Sequence, residues 1–320
     1  MRFGYKHSLN FLLPKKHNYI GYYDPITESD MDENAIPLDR KFNIFTHHTK
    51  YRNSTDQFLY KNTIKVTILR NPPELFESLF TFYKFKKKYN ITFQEFLISL
   101  PRIKIDGLKK GKKFGYNQMC RDLGLQPELQ RDETAIRKFI TKIDKEFDLV
   151  MIKEHLEGSL VLLKNLMGWP LEYVSFIPLN SRTDTIKYKL SEMDRFILSQ
   201  MNYADTLLYE HFANKIRSCI VKYGENHLLD EVQKLYIINE NLKNRCIQET
   251  DLKGYAHTIS YILKNNLDWE CIYSTKSELQ FTRELLISQI NRIKITKRLN
   301  KFINEANNLY ITKKKYDDNN

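Results

Sequence analysis

The sequence predicts an α/β fold, a parallel sheet flanked by helices, followed by a mainly helical second half. Three observations carry this. Short apolar runs of strand length alternate with longer segments whose apolar residues recur at i, i+3/i+4 and i+7. From about Met201 onward the strand-like runs cease while the helical periodicity continues. The 42% apolar and 28% charged composition over 320 residues supplies a sizeable core and excludes disordered, collagen-like and disulfide-scaffold classes.

In chain order, the first strand candidate is Phe42 to Thr46, which runs into His47-His48. Lys65 to Leu69 is the second, ending at Arg70-Asn71-Pro72-Pro73. The prolines pre-set φ for a helix over Pro73 to Lys87, whose end carries the basic knot Lys84 to Lys88. A second knot follows at Lys109 to Lys113. A helix over Glu133 to Glu146 leads into the strand Leu149 to Lys153, then a helix over Gly158 to Met167 and a strand over Val174 to Ile177. The second half reads as helices over Ala204 to Lys222, Leu228 to Arg245 and Ser277 to Ala306, with Lys313 to Asn320 as a fraying end.

Lys and Arg exceed Asp and Glu by 51 to 39, a formal charge of +12. A surplus spread this widely is ordinary solvated surface or a general preference for anions: nucleic acid, acidic headgroups or a phosphorylated ligand. No nucleic-acid motif accompanies it. Ten glycines are about half the usual ~7%, and neither GxGxxG nor GxxxxGK[ST] occurs, which excludes Walker and dinucleotide-fingerprint sites. No run reaches the ~18 uncharged apolar residues of a membrane helix, and Met1 to His7 contains no apolar signal-peptide region. Cys120, Cys219, Cys246 and Cys271 form no CxxC pair and have no histidine at zinc spacing, so no metal is expected. Asn53-Ser54-Thr55 and Asn90-Ile91-Thr92 are glycosylation acceptors if the chain meets a secretory compartment.

The segment richest in chemistry is Val66 to Phe80. Arg70 stands at the carboxyl end of a strand, where open α/β sheets bind ligands, and a helix begins just beyond it. An arginine fork, the Ser78 hydroxyl and helix N–H groups together make a phosphate site that needs no glycine. The plainer reading is a βα turn in which Arg70 pairs with a neighbour and Ser78 faces solvent. In the second segment, His47 and His48 point to opposite faces of an extended strand, so one of them at most serves a given cleft as base. His155, after the third strand, is a further candidate.

At these residues the chain resembles the galactose 3-O-sulfotransferase family. The matching stretches are Arg2-Phe3-Gly4-x-Lys6-His7, Asn43-Ile44-x-x-x-His48, Thr67-Ile68-Leu69-Arg70-x-Pro72, Leu75-Phe76-Glu77-Ser78, Asp122-Leu123-Gly124 and Phe147-x-Leu149-Val150. Ser159-Leu160-Val161-Leu162-Leu163-Lys164, Trp169, Leu179-Asn180-x-Arg182, Leu208-Tyr209-x-His211-Phe212 and Gly254-Tyr255 continue the match in order to about residue 300. The resemblance implies a P-loop-NTPase-like sulfotransferase fold. It also implies a Golgi membrane enzyme with its domain on the lumenal side. Such an enzyme moves a sulfuryl group from 3′-phosphoadenosine 5′-phosphosulfate (PAPS) to the 3-hydroxyl of galactose in a galactosylceramide-like glycolipid or a glycan. By the same resemblance Arg70 and Ser78 hold the donor's 3′-phosphate, His48 is the catalytic base, and Cys246 and Cys271 are family cysteines that can bridge in an oxidising lumen.

The family's 5′-phosphosulfate loop falls upstream of Arg2. The chain is therefore expected to be a sulfotransferase domain over 1–308 without its first strand and that loop, followed by a disordered tail over 309–320. Two further readings stand beside the enzyme: an inactive or truncated relative that keeps a nucleotide or galactoside cleft, and a basic α/β protein that binds nucleic acid or membrane surfaces through its lysine knots.

Overall fold

The computed structural model describes residues 1–21, 24–99, 115–179, 181–182, 187–251, 258–264 and 267–317. Along the chain it forms α1 (Arg2–Lys6), β1 (Val66–Leu69), α2 (Pro72–Phe82), α3 (Phe85–Tyr89), α4 (Phe93–Ser99), α5 (Gln118–Asp122), α6 (Glu133–Glu146) and β2 (Leu149–Ile152). There follow α7 (Leu156–Met167), α8 (Glu192–Met201), α9 (Tyr203–Tyr223), α10 (Glu225–Cys246), β3 (Ile247–Asp251), β4 (Ser260–Leu263), α11 (Trp269–Thr275) and α12 (Glu278–Asp317). Two compact units divide these elements: Met1–Thr63 with Lys276–Asn320, and Ile64–Thr275.

In the first unit a core of Leu12, Ile20, Ile26, Met31, Phe42, Phe58 and Leu59 gathers irregular chain rather than sheet. Phe42 to Thr46, predicted as a strand, makes only single parallel bridges, Phe11 to Ile44 and Phe42 to Leu59. Part of the backbone polarity that a ladder would satisfy is met by a side chain of α12. Gln289, 1% exposed, accepts from Phe11 N (2.7 Å) and donates to the carbonyls of Phe11 (3.0 Å) and Ala35 (2.7 Å). Gly4 in α1 lies so close to Ile44 and Phe11 that a Cβ would collide with both, which accounts for the glycine after Arg2-Phe3. The helix predicted to end near Ala306 continues to Asp317.

In the second unit β1 and β2 pair in parallel, Val66 with Leu149 through Leu69 with Ile152. The crossover carries α6, whose Asp132 N-cap accepts from Ala135 N at 3.1 Å. Ile136, Ile140 and Ile143 form its buried stripe. Ser159, fully buried in α7, accepts from Ile152 N (3.1 Å) and donates to Ile152 O (3.3 Å). The Ser159-Leu160-Val161 stretch thus staples a helix to the end of β2.

The helix predicted over Pro73 to Lys87 breaks where Lys84 takes a left-handed conformation (φ 55°), and α3 begins anew. Val174 to Ile177 is not a strand. A 3₁₀ turn begins at Leu171 after Pro170, and Phe176 N–H donates to Asn239 of α10 at 2.8 Å instead of to a ladder. The reverse departure is the antiparallel pair β3 and β4, in the half expected to be mainly helical and where no strand is predicted. Ile-Gln-Glu-Thr-Asp carries too little apolar alternation to reveal β3.

Candidate functional site

The two strand ends in the second unit set the geometry. The register pairs Leu69 with Ile152, so Asn71 and Glu154 stand two residues beyond each strand at matching height. Glu154 Oε1 accepts from Asn71 N at 3.0 Å, and its Oε2 accepts from the hydroxyl of Tyr209 on α9 at 3.1 Å. Burial first, then the Glu154 charge, pushes the Tyr209 phenol up to about 12, which keeps it a donor.

Arg70 lies between these anchors, half-buried, with its N–H on Met119 Sδ at 3.4 Å. Among the described residues its guanidinium makes no hydrogen bond or ion pair. Burial pulls its pKa down, and the charges of Glu154, Glu74 and Glu77 oppose that shift. Each of those carboxylates is already occupied. Glu154 holds Asn71 and Tyr209, and Glu74 pairs with Arg195. Glu77 binds Arg182 through two contacts (2.6 and 3.0 Å) and accepts from Tyr188 N at 3.2 Å. Among the described residues the Arg70 guanidinium keeps its donors unengaged at the strand end, the arrangement of an anion site.

Ser78, in the second turn of α2, is half-buried, and its hydroxyl has no partner among the described residues. The helix terminus gives less than the sequence reading assumed. Pro72 and Pro73 carry no N–H and Leu75 N–H bonds Asn71 O at 2.9 Å, so Glu74 alone offers a donor in the first turn.

The histidine pair lies in the first unit and is split as strand geometry requires. His47, 5% exposed, shares a 2.8 Å hydrogen bond between its Nε2 and Thr282 Oγ1 on α12. Its buried Nδ1 has no partner, and burial lowers its pKa to about 4. His48 is exposed, its Nε2 3.5 Å from Glu278 Oε2. That contact holds the Glu278 carboxyl below its ordinary range, so the imidazole faces an ionised carboxylate. His155 is exposed just before α7.

Cys246 and Cys271 form a disulfide with Cα atoms 5.1 Å apart, packed with Ile177 and Leu242. Asn53 opens a 3₁₀ turn and Asn90 follows α3, both exposed. Lys84 to Lys88 surround α3, whereas Lys109 to Lys113, Asn180 and Gly254-Tyr255 lie outside the described residues. Among the described residues no three His, Cys, Asp or Glu side chains are grouped to hold a metal, and no helix is long and apolar enough to cross a membrane. Sequence reasoning missed the bracing of Asn71 by Glu154 and Tyr209. Aligning the ends of the two apolar runs would have brought Asn71 and Glu154 together.

Comparison with known proteins gives the same direction. The family model described as galactose-3-O-sulfotransferase matches residues 1–265. Human galactosylceramide sulfotransferase is 28% identical over 327 residues, covering 98% of this chain and 75% of its own length. Human galactose-3-O-sulfotransferase 2 is 30% identical over 317 residues, covering 90% of this chain and 78% of its own. Mouse galactosylceramide sulfotransferase is 28% identical over 256 residues, and the chain spans 59% of that relative's length. No solved structure gives a significant match. With its model matched over most of the sequence, the galactose-3-O-sulfotransferase family is the one to which this chain belongs.

Proposed function

We propose that the protein transfers a sulfuryl group from PAPS to the 3-hydroxyl of a galactose, on a galactosylceramide-like glycolipid or on a glycan. The observation that carries this reading is Arg70. Among the described residues a half-buried guanidinium at a strand end has no side-chain partner, while Glu154, Glu74 and Glu77 around it are each occupied. A group desolvated in this way has lost hydration and gained no counterion, and a phosphate supplies one. The relatives' names point to a galactose acceptor.

In this reading Arg70 forks onto the donor's 3′-phosphate and Ser78 donates its hydroxyl to the same group. His48 takes the proton from the galactose 3-hydroxyl as the oxygen bonds to sulfur. The sulfur's bond to the oxygen bridging the 5′-phosphate breaks, releasing adenosine 3′,5′-bisphosphate. Glu278 stabilises the imidazolium that forms, as a carboxylate facing a histidine does.

The parallel pairing of β1 with β2 across helical crossovers supports assignment to the P-loop-NTPase-like sulfotransferase fold. The Cys246–Cys271 bridge and the exposed Asn53 and Asn90 acceptors favour a secretory compartment, and we assign the lumenal side of the Golgi membrane.

Calorimetric titration with adenosine 3′,5′-bisphosphate tests the donor half of the reading. The expected result is stoichiometric binding by the wild type that Arg70→Ala weakens severely. Equal binding by the two proteins would remove Arg70 from the site.

A further inference from the structure

We infer that Glu154 and Tyr209 are positioning residues for the anion site, a latch that fixes the turn between β1 and α2 and so aims Arg70. The inference rests on the donor-binding reading given above.

The β1–β2 ladder ends at Leu69 and Ile152, and past that point backbone pairing stops. The Asn71 carbonyl is taken by Leu75 N–H in the first turn of α2, and the Asn71 N–H has to find an acceptor outside the ladder. Its N–H is taken by Glu154 Oε1 at 3.0 Å, so a carboxylate extends the ladder by one rung. The other oxygen, Oε2, receives the Tyr209 hydroxyl at 3.1 Å, which ties the rung to α9, a separate 21-residue helix. Asn71 is also the N-cap of α2, yet its side chain makes no capping hydrogen bond, and its Oδ1 is buried without a partner. Pro72 and Pro73 follow with no N–H to offer.

The turn is therefore held from outside, by Glu154 acting through Asn71. Arg70 sits inside it, with its backbone N–H on a soft sulfur acceptor and a guanidinium that makes no hydrogen bond among the described residues. A residue in that position inherits its direction from the backbone on either side. β1 fixes one side and the latch fixes the other.

Glu154 carries a second role that a neutral brace would lack. Its charge is the leading attraction on the Arg70 guanidinium, opposing the cost of burial, while its oxygens are engaged by Asn71 and Tyr209. It supports the cation without capturing it, which leaves the guanidinium open to a ligand anion.

The test uses the full chain, with adenosine 3′,5′-bisphosphate as the titrant and PAPS and a galactoside as substrates. Tyr209→Phe removes one hydrogen bond and Glu154→Gln one acceptor, so each should raise the nucleotide Kd and the donor KM by about fivefold. The galactoside KM and the thermal midpoint of Tyr209→Phe should stay at the wild-type values. A merely structural role would lower the active fraction and leave donor KM unchanged. In an Arg70→Ala background neither variant should weaken nucleotide binding further, because the latch acts through that side chain. Wild-type nucleotide affinity in both single variants overturns the latch alone and leaves the donor-site reading standing. Absence of nucleotide binding by the wild type overturns both, and additive losses in the Arg70→Ala background show that Glu154 acts elsewhere.

Discussion

Glu77 sits in Leu75-Phe76-Glu77-Ser78, a stretch that marks the family, yet it faces inward. Its side chain and that of Arg182 are 4% and 8% exposed. It accepts two guanidinium bonds and the Tyr188 N–H, tying residues 182 and 188 to α2. Replacing it by Ala strands a buried cation and an orphan N–H, a loss of about 3–5 kcal/mol. Replacing both partners by apolar residues of similar size, Glu77→Leu with Arg182→Met, leaves no unpaired charge but still orphans the Tyr188 N–H, so it should cost less, about 1–2 kcal/mol. The protein's two tryptophans, Trp169 and Trp269, both lie in the Ile64–Thr275 unit, so fluorescence during urea unfolding reports on the unit that holds the pair. The expected order of midpoints is wild type first, then the double variant, with Glu77→Ala lowest. A Glu77→Ala loss under about 1 kcal/mol, or a double variant as unstable as the single, would refute the reasoning.

The other expectations follow from separate contacts. Arg70→Ala should raise donor KM about thirtyfold, the scale of a charge-assisted contact near 2 kcal/mol, and Ser78→Ala about fivefold, as steady-state kinetics with varied PAPS will show. His48→Ala should lower kcat at least a hundredfold with donor KM held, in line with loss of a general base; an unchanged kcat removes it from the chemistry. His47 has a folded pKa near 4 against an ordinary 6.5, so the folded state binds fewer protons between those values. Its contribution is whole above pH 6.5 and is lost as pH falls through 4, about 3 kcal/mol. The stability difference between wild type and His47→Gln, measured by urea titration at pH 7 and pH 4, should shift by that amount. Breaking the Cys246–Cys271 bridge, which spans 25 residues, should cost about 3.5 kcal/mol on chain entropy, read as a lowered urea midpoint in Cys246→Ala/Cys271→Ala.

The parts of this fold written locally in the sequence were legible there. β1 and β2 are short apolar runs closed by charged residues, and α6 announces itself through Asp132 and the isoleucines at 136, 140 and 143. What escaped is what distant residues decide. Phe42 to Thr46 has strand composition, but Gln289, more than two hundred residues away, takes the backbone N–H and carbonyl of its bridged neighbour Phe11. Nothing near Val174 reveals that Asn239 will claim Phe176 N–H. The same divide runs through the site. Arg70 was visible from its strand and prolines, whereas its unengaged guanidinium among the described residues depends on Arg182, Arg195 and Tyr209 occupying the carboxylates around it.

Sulfate transfer itself is the most direct measurement. The full chain is incubated with PAPS radiolabelled in its sulfate and with galactosylceramide, and the labelled position is determined alongside a control acceptor blocked at the galactose 3-hydroxyl. The account predicts label on galactose O3, none on the blocked acceptor, and loss of transfer in Arg70→Ala. Label retained on the blocked acceptor, or transfer undiminished without Arg70, would contradict it.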